Sequence, residues 1–284
     1  MAEIIDGKLV SSSTRQTIAL GVEKFKSDFG CAPGLAVVLV GDDPASAVYV
    51  RNKHKGCLEV GINSYEIKMP ADTSEDALLE KIDELNADPN VHGILVQLPL
   101  PKHIGENKVI DRIDPNKDVD AFHPENVGKI MLGKYDFLPC TPAGIMKLLE
   151  FYKIDPTGKE CVVIGRSNIV GKPMALLLLE KNGTVAVCHS RTQNLSDITK
   201  RADILVVAIG KPEFLTADMV KDGVVVIDVG INRTAEGKLV GDVAFNEVSE
   251  KASYITPVPG GVGPMTITML LKNTLTAPEK LASK

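Results

Sequence analysis

The chain has 284 residues, a formal net charge of −5, 44% apolar residues and no tryptophan. That length suits two α/β domains better than one core, the cores must be aliphatic, and the acidic balance argues against wrapping nucleic acid. Five cysteines, an odd number without C-x-x-C spacing, point to free thiols in a reducing compartment and to no structural metal. The N-terminus carries no apolar signal region and no stretch approaches a membrane span, so a soluble cytoplasmic protein is expected.

In chain order, the first apolar run lies at 35–40 and ends in the turn Gly41-Asp42-Asp43. A helix is predicted over 44–60. At 100° per residue, Arg51, Lys55 and Glu59 share one side, while Ser46, Tyr49, Lys53, Cys57 and Val60 share the other. Lys53 therefore sits within a weakly polar face, one turn after Tyr49. Two readings stand: a lysine whose stem snorkels to solvent, or an ammonium held in a cleft where desolvation lets it exchange a proton near neutral pH. A carboxylate or amide brought near it would favour the second. Apolar runs at 65–69 and 91–98 follow, the latter carrying the polar Gln97. The charged, turn-rich stretch 111–120 ends at Asp120. Taken singly, Gln97 reads as a capped strand end and Asp120 as a solvated turn acid. Asp42, Asp43 and Asp118 read as turn and cap residues.

The domain change is placed near Pro139-Cys-Thr141-Pro142, with Thr141 as the N-cap of the next helix and Pro142 at its first position. Four apolar runs then recur at 161–164, 185–188, 204–209 and 224–229. Their alternation with helical periodicity predicts a parallel sheet covered on both faces, separate from the sheet of the first three runs. The segment from Cys161 to Pro173 runs a strand through Gly165-Arg166-Ser167 into a helix near Met174, which is how a doubly wound fold offers backbone N–H groups to a phosphate. Five residues separate Gly165 from Gly171 and no Ser or Thr follows Lys172, so this is not a P-loop. The next strand ends in His189-Ser190-Arg191-Thr192, where an NAD site would place an acid on the ribose. A hydroxyl and arginines there suit a 2′-phosphate, and the cofactor is read as NADP. Gly210 and Gly230 close two further runs at their carboxyl ends. The stretch 256–264, with three prolines and three glycines around Pro259-Gly260-Gly261-Val262, reads as a stiff wall for a planar heterocycle rather than as a linker. The segment from Met265 is predicted helical.

These blocks resemble the bifunctional methylenetetrahydrofolate dehydrogenase/methenyltetrahydrofolate cyclohydrolase family. The resemblance rests on Ser46-Ala-Val-Tyr49-Val-Arg-Asn-Lys53, Val91-His-Gly-Ile-Leu-Val-Gln97-Leu-Pro-Leu-Pro101, Lys117-Asp-Val-Asp120, Val163-Ile-Gly-Arg-Ser-Asn-Ile-Val-Gly-Lys-Pro173, Cys188-His-Ser-Arg-Thr192 and Ile255-Thr-Pro-Val-Pro-Gly-Gly-Val-Gly-Pro-Met-Thr266. Where that family usually has glycine after the acid, this chain has Ala121. The resemblance implies two α/β domains flanking a cleft, the second a Rossmann-like NADP domain. It places a folate-binding catalytic domain at 1–138 plus a C-terminal helix at 266–284, and the NADP domain at 139–265. It implies NADP⁺-dependent oxidation of 5,10-methylenetetrahydrofolate, then hydrolysis of the methenyl product to 10-formyltetrahydrofolate, by a homodimer. Lys53 would handle the proton, Tyr49 would stack beside it, Gln97 would tune Lys53 and Asp120 would bind the pterin. Pro259, Gly260, Gly261 and Val262 would contact folate. Gly165, Arg166, Ser167, Ser190 and Ile231 match the NADP positions, with Thr141 near the cleft. A dehydrogenase lacking the hydrolytic step or the converse, an NADP sensor and a quinate- or shikimate-type dehydrogenase are the rivals; the grouping of Tyr49, Lys53, Gln97 and Asp120 weighs against the sensor, and the rigid Pro-Gly wall with the Tyr49/Lys53 pairing weighs against the quinate or shikimate type.

Overall fold

Residues 1–234 and 236–282 are described in the computed structural model, and they form two units with a parallel sheet in each. The elements, in chain order, are β1 (Glu3–Ile4), α1 (Gly7–Phe29), β2 (Gly34–Val40), α2 (Pro44–Val60), β3 (Asn63–Met69), α3 (Glu75–Ala87), β4 (Gly93–Val96), α4 (Glu106–Arg112), α5 (Pro124–Met131) and α6 (Cys140–Phe151). They continue with β5 (Glu160–Ile164), α7 (Gly171–Glu180), β6 (Thr184–Cys188), α8 (Leu195–Thr199), β7 (Ile204–Val207), β8 (Val225–Asp228), β9 (Asn232–Arg233), β10 (Leu239–Val240), α9 (Phe245–Ser249), β11 (Tyr254–Ile255) and α10 (Val262–Ala282). None of the described helices is long and apolar enough to cross a membrane.

The unit made of residues 13–140 and 267 onward holds a sheet ordered β3-β2-β4. The run Gly-Leu-Ala-Val-Val-Leu-Val is buried throughout because β2 is the central strand and both its faces are covered. β3 is an edge strand and alternates polar with apolar residues accordingly. Ala36, Val38, Leu78, Ile82, Ile94 and Val109 form much of this unit's core.

The other unit holds a six-stranded sheet ordered β1-β11-β8-β7-β5-β6. Chain order reverses between β5 and β7, the point at which doubly wound sheets open a crevice at their carboxyl ends. Two of its strands escape sequence patterning, since β1 and β11 are two residues long and show no period. β1 also corrects the expected boundary at 1–138: Glu3 donates to the Ser253 carbonyl at 2.8 Å and Ile5 to the Ile255 carbonyl at 2.9 Å, so residues 1–12 belong to the second unit. At the other end, α10 begins at Val262 rather than at 266, and its first residues to 266 also fall in that unit. Residues 283–284 of the expected terminal helix lie outside the described residues.

Candidate active site and cofactor site

Lys53 owes its position to the start of α2. Asp43 caps the helix by accepting from the Ser46 N–H at 2.7 Å, and Pro44 occupies the first turn. The helix then buries Ser46, Val50, Gly56, Cys57 and Val60, and Lys53 lies on the same stripe between Val50 and Cys57. Its residue is half-buried, whereas Tyr49, one turn earlier, is exposed. Lys53 Nζ donates to Gln97 Oε1 at 2.9 Å. Gln97 is itself fixed: its N–H extends the β4 ladder to the Val38 carbonyl, and its Nε2 donates to the Leu98 carbonyl at 2.6 Å. With one oxygen committed to the lysine and the amide nitrogen committed to the backbone, Gln97 orients the amine.

Asp120 arrives by a route the sequence reading took for a solvated turn. Ile94 donates to the Lys117 carbonyl at 2.7 Å, and Asp118 bridges Ile94, so residues 117–118 run parallel beside β4. The Lys117 ammonium is buried and donates to the Leu85, Asn86 and Asp88 carbonyls, capping the end of α3. Asp118 is a turn residue, its carbonyl accepting from the Ala121 N–H at 3.1 Å, and it is also buried; its carboxylate accepts from the His123 N–H and from Asn126 Nδ2 at 2.8 and 2.9 Å. Ala121 takes a left-handed φ of 57°, a conformation that favours glycine; an L-residue there costs roughly 1 kcal/mol, and the chain tolerates it with the methyl fully buried.

Two residues that sequence reasoning passed over complete this corner. The Cys140 thiol lies 3.7 Å from Asp120 Oδ1 and 3.6 Å from the Val119 carbonyl. Buried Asn273 on α10 donates to the Val119 and Leu138 carbonyls at 2.8 and 2.9 Å. No local pattern marks Asn273, since its partners are more than 130 positions away. Asn273→Ala should destabilise the protein by about 2 kcal/mol, because one buried and one half-buried carbonyl lose their donor; chemical denaturation measures it, and an unchanged midpoint would contradict that account.

The electrostatics draw the group toward neutrality. Burial pushes the Lys53 ammonium below its ordinary value, against the opposing influence of Asp120, Cys140 and Cys57. Burial raises Asp120 to about 6, aided by nearby Asp118 and opposed by Lys53 and the Cys140 thiol. Burial likewise pushes the Cys57 thiol up to about 12. Because Asp120 gives up its proton near pH 6 instead of near 3.8, its charged form is present above that pH and lost below it. Binding that needs the carboxylate should therefore strengthen as pH rises through about 6. The pH profile of ligand binding at this site should show that limb, and Asp120→Asn should remove it; a limb that survives the substitution belongs to another group.

In the other unit the strand ends carry the nucleotide features. Gly165 follows β5 with φ of 136° and approaches the Ala208 backbone so closely that a Cβ would collide with its carbonyl. Ser167 Oγ accepts from the Val170 and Gly171 N–H groups at 3.2 and 3.3 Å, which caps α7. Arg166 and Ser190 are both exposed. The His189–Thr192 turn, closed by a 2.8 Å hydrogen bond, lifts Ser190 and Arg191 to its tip. Ile231, half-exposed, follows β8.

Two expectations need correction here. α6 starts at Cys140, so Thr141 lies inside its first turn instead of capping it, and its hydroxyl pairs with that of Thr266 at 3.0 Å. Val262 is buried as the first residue of α10, with Gly261 also buried; the Gly261 N–H closes a turn onto the Pro257 carbonyl at 2.9 Å. Pro259, and in part Gly260, remain accessible from the expected wall.

A half-buried lysine oriented by a glutamine near a half-buried acid, with a doubly wound unit in the same chain, defines a cofactor-dependent enzyme with proton-transfer chemistry. Residues 5–120 match the tetrahydrofolate dehydrogenase/cyclohydrolase catalytic domain, and residues 139–282 match the NAD(P)-binding domain of the same family. The chain is 61% identical over 283 residues to the bifunctional protein FolD of Acetivibrio thermocellus, covering 100% of this chain and 99% of that one. Among solved structures, the Campylobacter jejuni bifunctional enzyme FolD is 52% identical with a TM-score of 0.96, covering 99% of this chain and all of that one. The Trypanosoma brucei methylenetetrahydrofolate dehydrogenase-cyclohydrolase, solved with NADP and an inhibitor, is 37% identical with a TM-score of 0.95, covering 100% and 99%. The chain belongs to the tetrahydrofolate dehydrogenase/cyclohydrolase family.

Proposed function

We propose that Lys53 is the proton-handling group with which this NADP-dependent methylenetetrahydrofolate dehydrogenase and methenyltetrahydrofolate cyclohydrolase performs its hydrolytic step. The observation that carries the reading is the 2.9 Å hydrogen bond from Lys53 Nζ to Gln97 Oε1, with half-buried Asp120 close enough to act on the amine's charge. Loss of hydride from the methylene carbon leaves a cation shared by two nitrogens, so the oxidation requires alignment and no strong base. When bound, NADP⁺ supplies the hydride acceptor. Attack of water on the cation does require a base, because the tetrahedral adduct forms only as a proton leaves. Burial pushes the Lys53 ammonium below its ordinary value, which favours the uncharged amine a base requires. Gln97 Oε1 accepts one N–H and so directs the amine's lone pair away from itself. A cationic substrate arriving nearby would lower the amine's basicity further.

Asp120 would accept from the pterin ring's N–H groups as a carboxylate, and exposed Tyr49 would stack on the ring. Pro259 and Gly260 supply the remaining folate contacts in this reading. The crowded backbone at Gly165 fits a nucleotide lying close to the main chain, and exposed Arg166 and Ser190 would hold its 2′-phosphate. Ser167 would act chiefly by fixing the turn, and Ile231 by contact. In this reading Lys53, Gln97 and Asp120 of the unit with residues 13–140 would do the folate chemistry, and Arg166, Ser167 and Ser190 of the unit with 141–266 would hold the cofactor.

The chain works as a homodimer in the cytoplasm in this reading; sedimentation at the mass of a single chain would contradict the dimer. Two assays test the activity itself: NADPH formation from methylenetetrahydrofolate and NADP⁺, and hydrolysis of methenyltetrahydrofolate without NADP⁺. Both should be positive. Hydrolysis lacking in wild-type protein would reduce the assignment to the dehydrogenase.

A further inference from the structure

We propose that Asp242 is a positioning residue for the cofactor, holding the loops beyond β7 and β8 in binding-ready shape from beneath; the proposal rests on the reading that NADP binds at these strand ends. Asp242 is completely buried. Its Oδ2 accepts from the Ile209 and Gly210 N–H groups at 2.7 and 2.9 Å, and its Oδ1 accepts from the Lys211 N–H at 2.8 Å and Asn232 Nδ2 at 2.9 Å. Three successive backbone N–H groups converging on one anion make a concave nest of the kind that elsewhere binds phosphate. Here the chain fills the nest with its own carboxylate, which fixes the loop before any ligand arrives.

A second acid extends the device. The Asp228 carboxylate accepts from the N–H groups of Gly230, Asp242 and Val243 at 2.9, 2.9 and 3.0 Å, so the two carboxylates are joined through the Asp242 main chain. Asp228 N–H in turn donates to Thr256 Oγ1 at 2.7 Å, fastening the segment after β11. Space is committed as well: a Cβ at Gly230 would strike the Asp242 carboxylate, and one at Gly241 would strike that of Asp228. Ile231 lies between Gly230 and Asn232, both held by these acids, so its half-exposed side chain is aimed by them. A network needed only to close the sheet would act along the strands. This one acts on residues 209–211 and 230–232, past the strand ends, where the crevice of a doubly wound sheet takes its ligand.

Asp242→Asn tests the idea, since the amide keeps the shape but turns an N–H₂ toward N–H donors. The KM for NADP⁺ should rise about tenfold or more. Meanwhile kcat at saturating NADP⁺ and hydrolysis of methenyltetrahydrofolate without NADP⁺ should stay within roughly threefold, a split that general loosening would not produce. Nicotinamide fluorescence titration with NADPH should report the same loss of affinity. Asn232→Ala removes one donor of four and should raise the KM for NADP⁺ by about two- to fivefold, which keeps a decision available if Asp242→Asn does not fold. An unchanged KM for NADP⁺ in a folded variant, or hydrolysis falling in parallel with NADP⁺ affinity, overturns the proposal. Arg166→Ala with Ser190→Ala separates the two failures. If that pair weakens NADP⁺ while Asp242→Asn does not, the positioning role alone fails; if neither does, the cofactor reading fails with it.

Discussion

Lys53→Met is expected to slow methenyltetrahydrofolate hydrolysis by about 10²- to 10⁴-fold, the range a positioned acid–base group contributes. Methionine keeps the unbranched length and has nearly the same helix propensity, so α2 should persist and the half-buried site should stay filled. What disappears is the amine that Gln97 Oε1 orients at 2.9 Å. NADP⁺ affinity should be unchanged, because the cofactor features belong to the other unit. The oxidation should suffer less than the hydrolysis, since it needs no base once the C–H bond is aligned. Gln97→Ala should fall in the same direction by a smaller factor, because a lysine without its acceptor remains present but unaimed. Hydrolysis at the wild-type rate in the methionine variant would end the assignment of Lys53.

Combining Arg166→Ala with Ser190→Ala should weaken NADP⁺ by about a hundredfold while altering NAD⁺ binding by less than about threefold, since charge-assisted hydrogen bonds to a phosphate are each worth about 1.5–3 kcal/mol. Both side chains are exposed, Arg166 in the turn after β5 and Ser190 in the turn after β6, so neither supports the core and the variant should fold normally. The comparison of the two dinucleotides is the decisive part. They differ only in the 2′-phosphate, and equal losses for both would mean that these residues contact another part of the cofactor. Measured KM values in the oxidation assay, with hydrolysis as the folding control, supply the answer.

Much of this was readable in the residues themselves. Runs at 35–40, 161–164 and 204–207 are continuously apolar because central parallel strands are covered on both faces, and that signal is local. The Asp43-Pro44 start fixed the phase of α2, and phase alone put Lys53 on the buried stripe with Val50 and Cys57. The turn at Gly165 and the basic end of β6 could likewise be seen in short windows. Periodicity needs several residues to register, so β1 and β11 escaped it, and with them the assignment of residues 1–12. The burial of Asp118 escapes a local reading for a related cause: a turn and cap residue in a polar segment gives no sign of it until the parallel bridge to Ile94 is known.

The amino-acid order by itself thus determined the longer helices and strands, which face of α2 carries the lysine and where a glycine turn and a basic strand end fall, because propensity, phase and turn chemistry act over a few residues. Only the tertiary structure decided that Lys53 meets Gln97, that Asn273 and Cys140 brace the approach to Asp120, and that Asp242 ties together loops far apart in the chain. Those pairings span from 10 to 154 positions, and no local preference encodes them. Burial of polar groups does: once the sheets enclose them, each must find a donor or acceptor, and the packing leaves few choices.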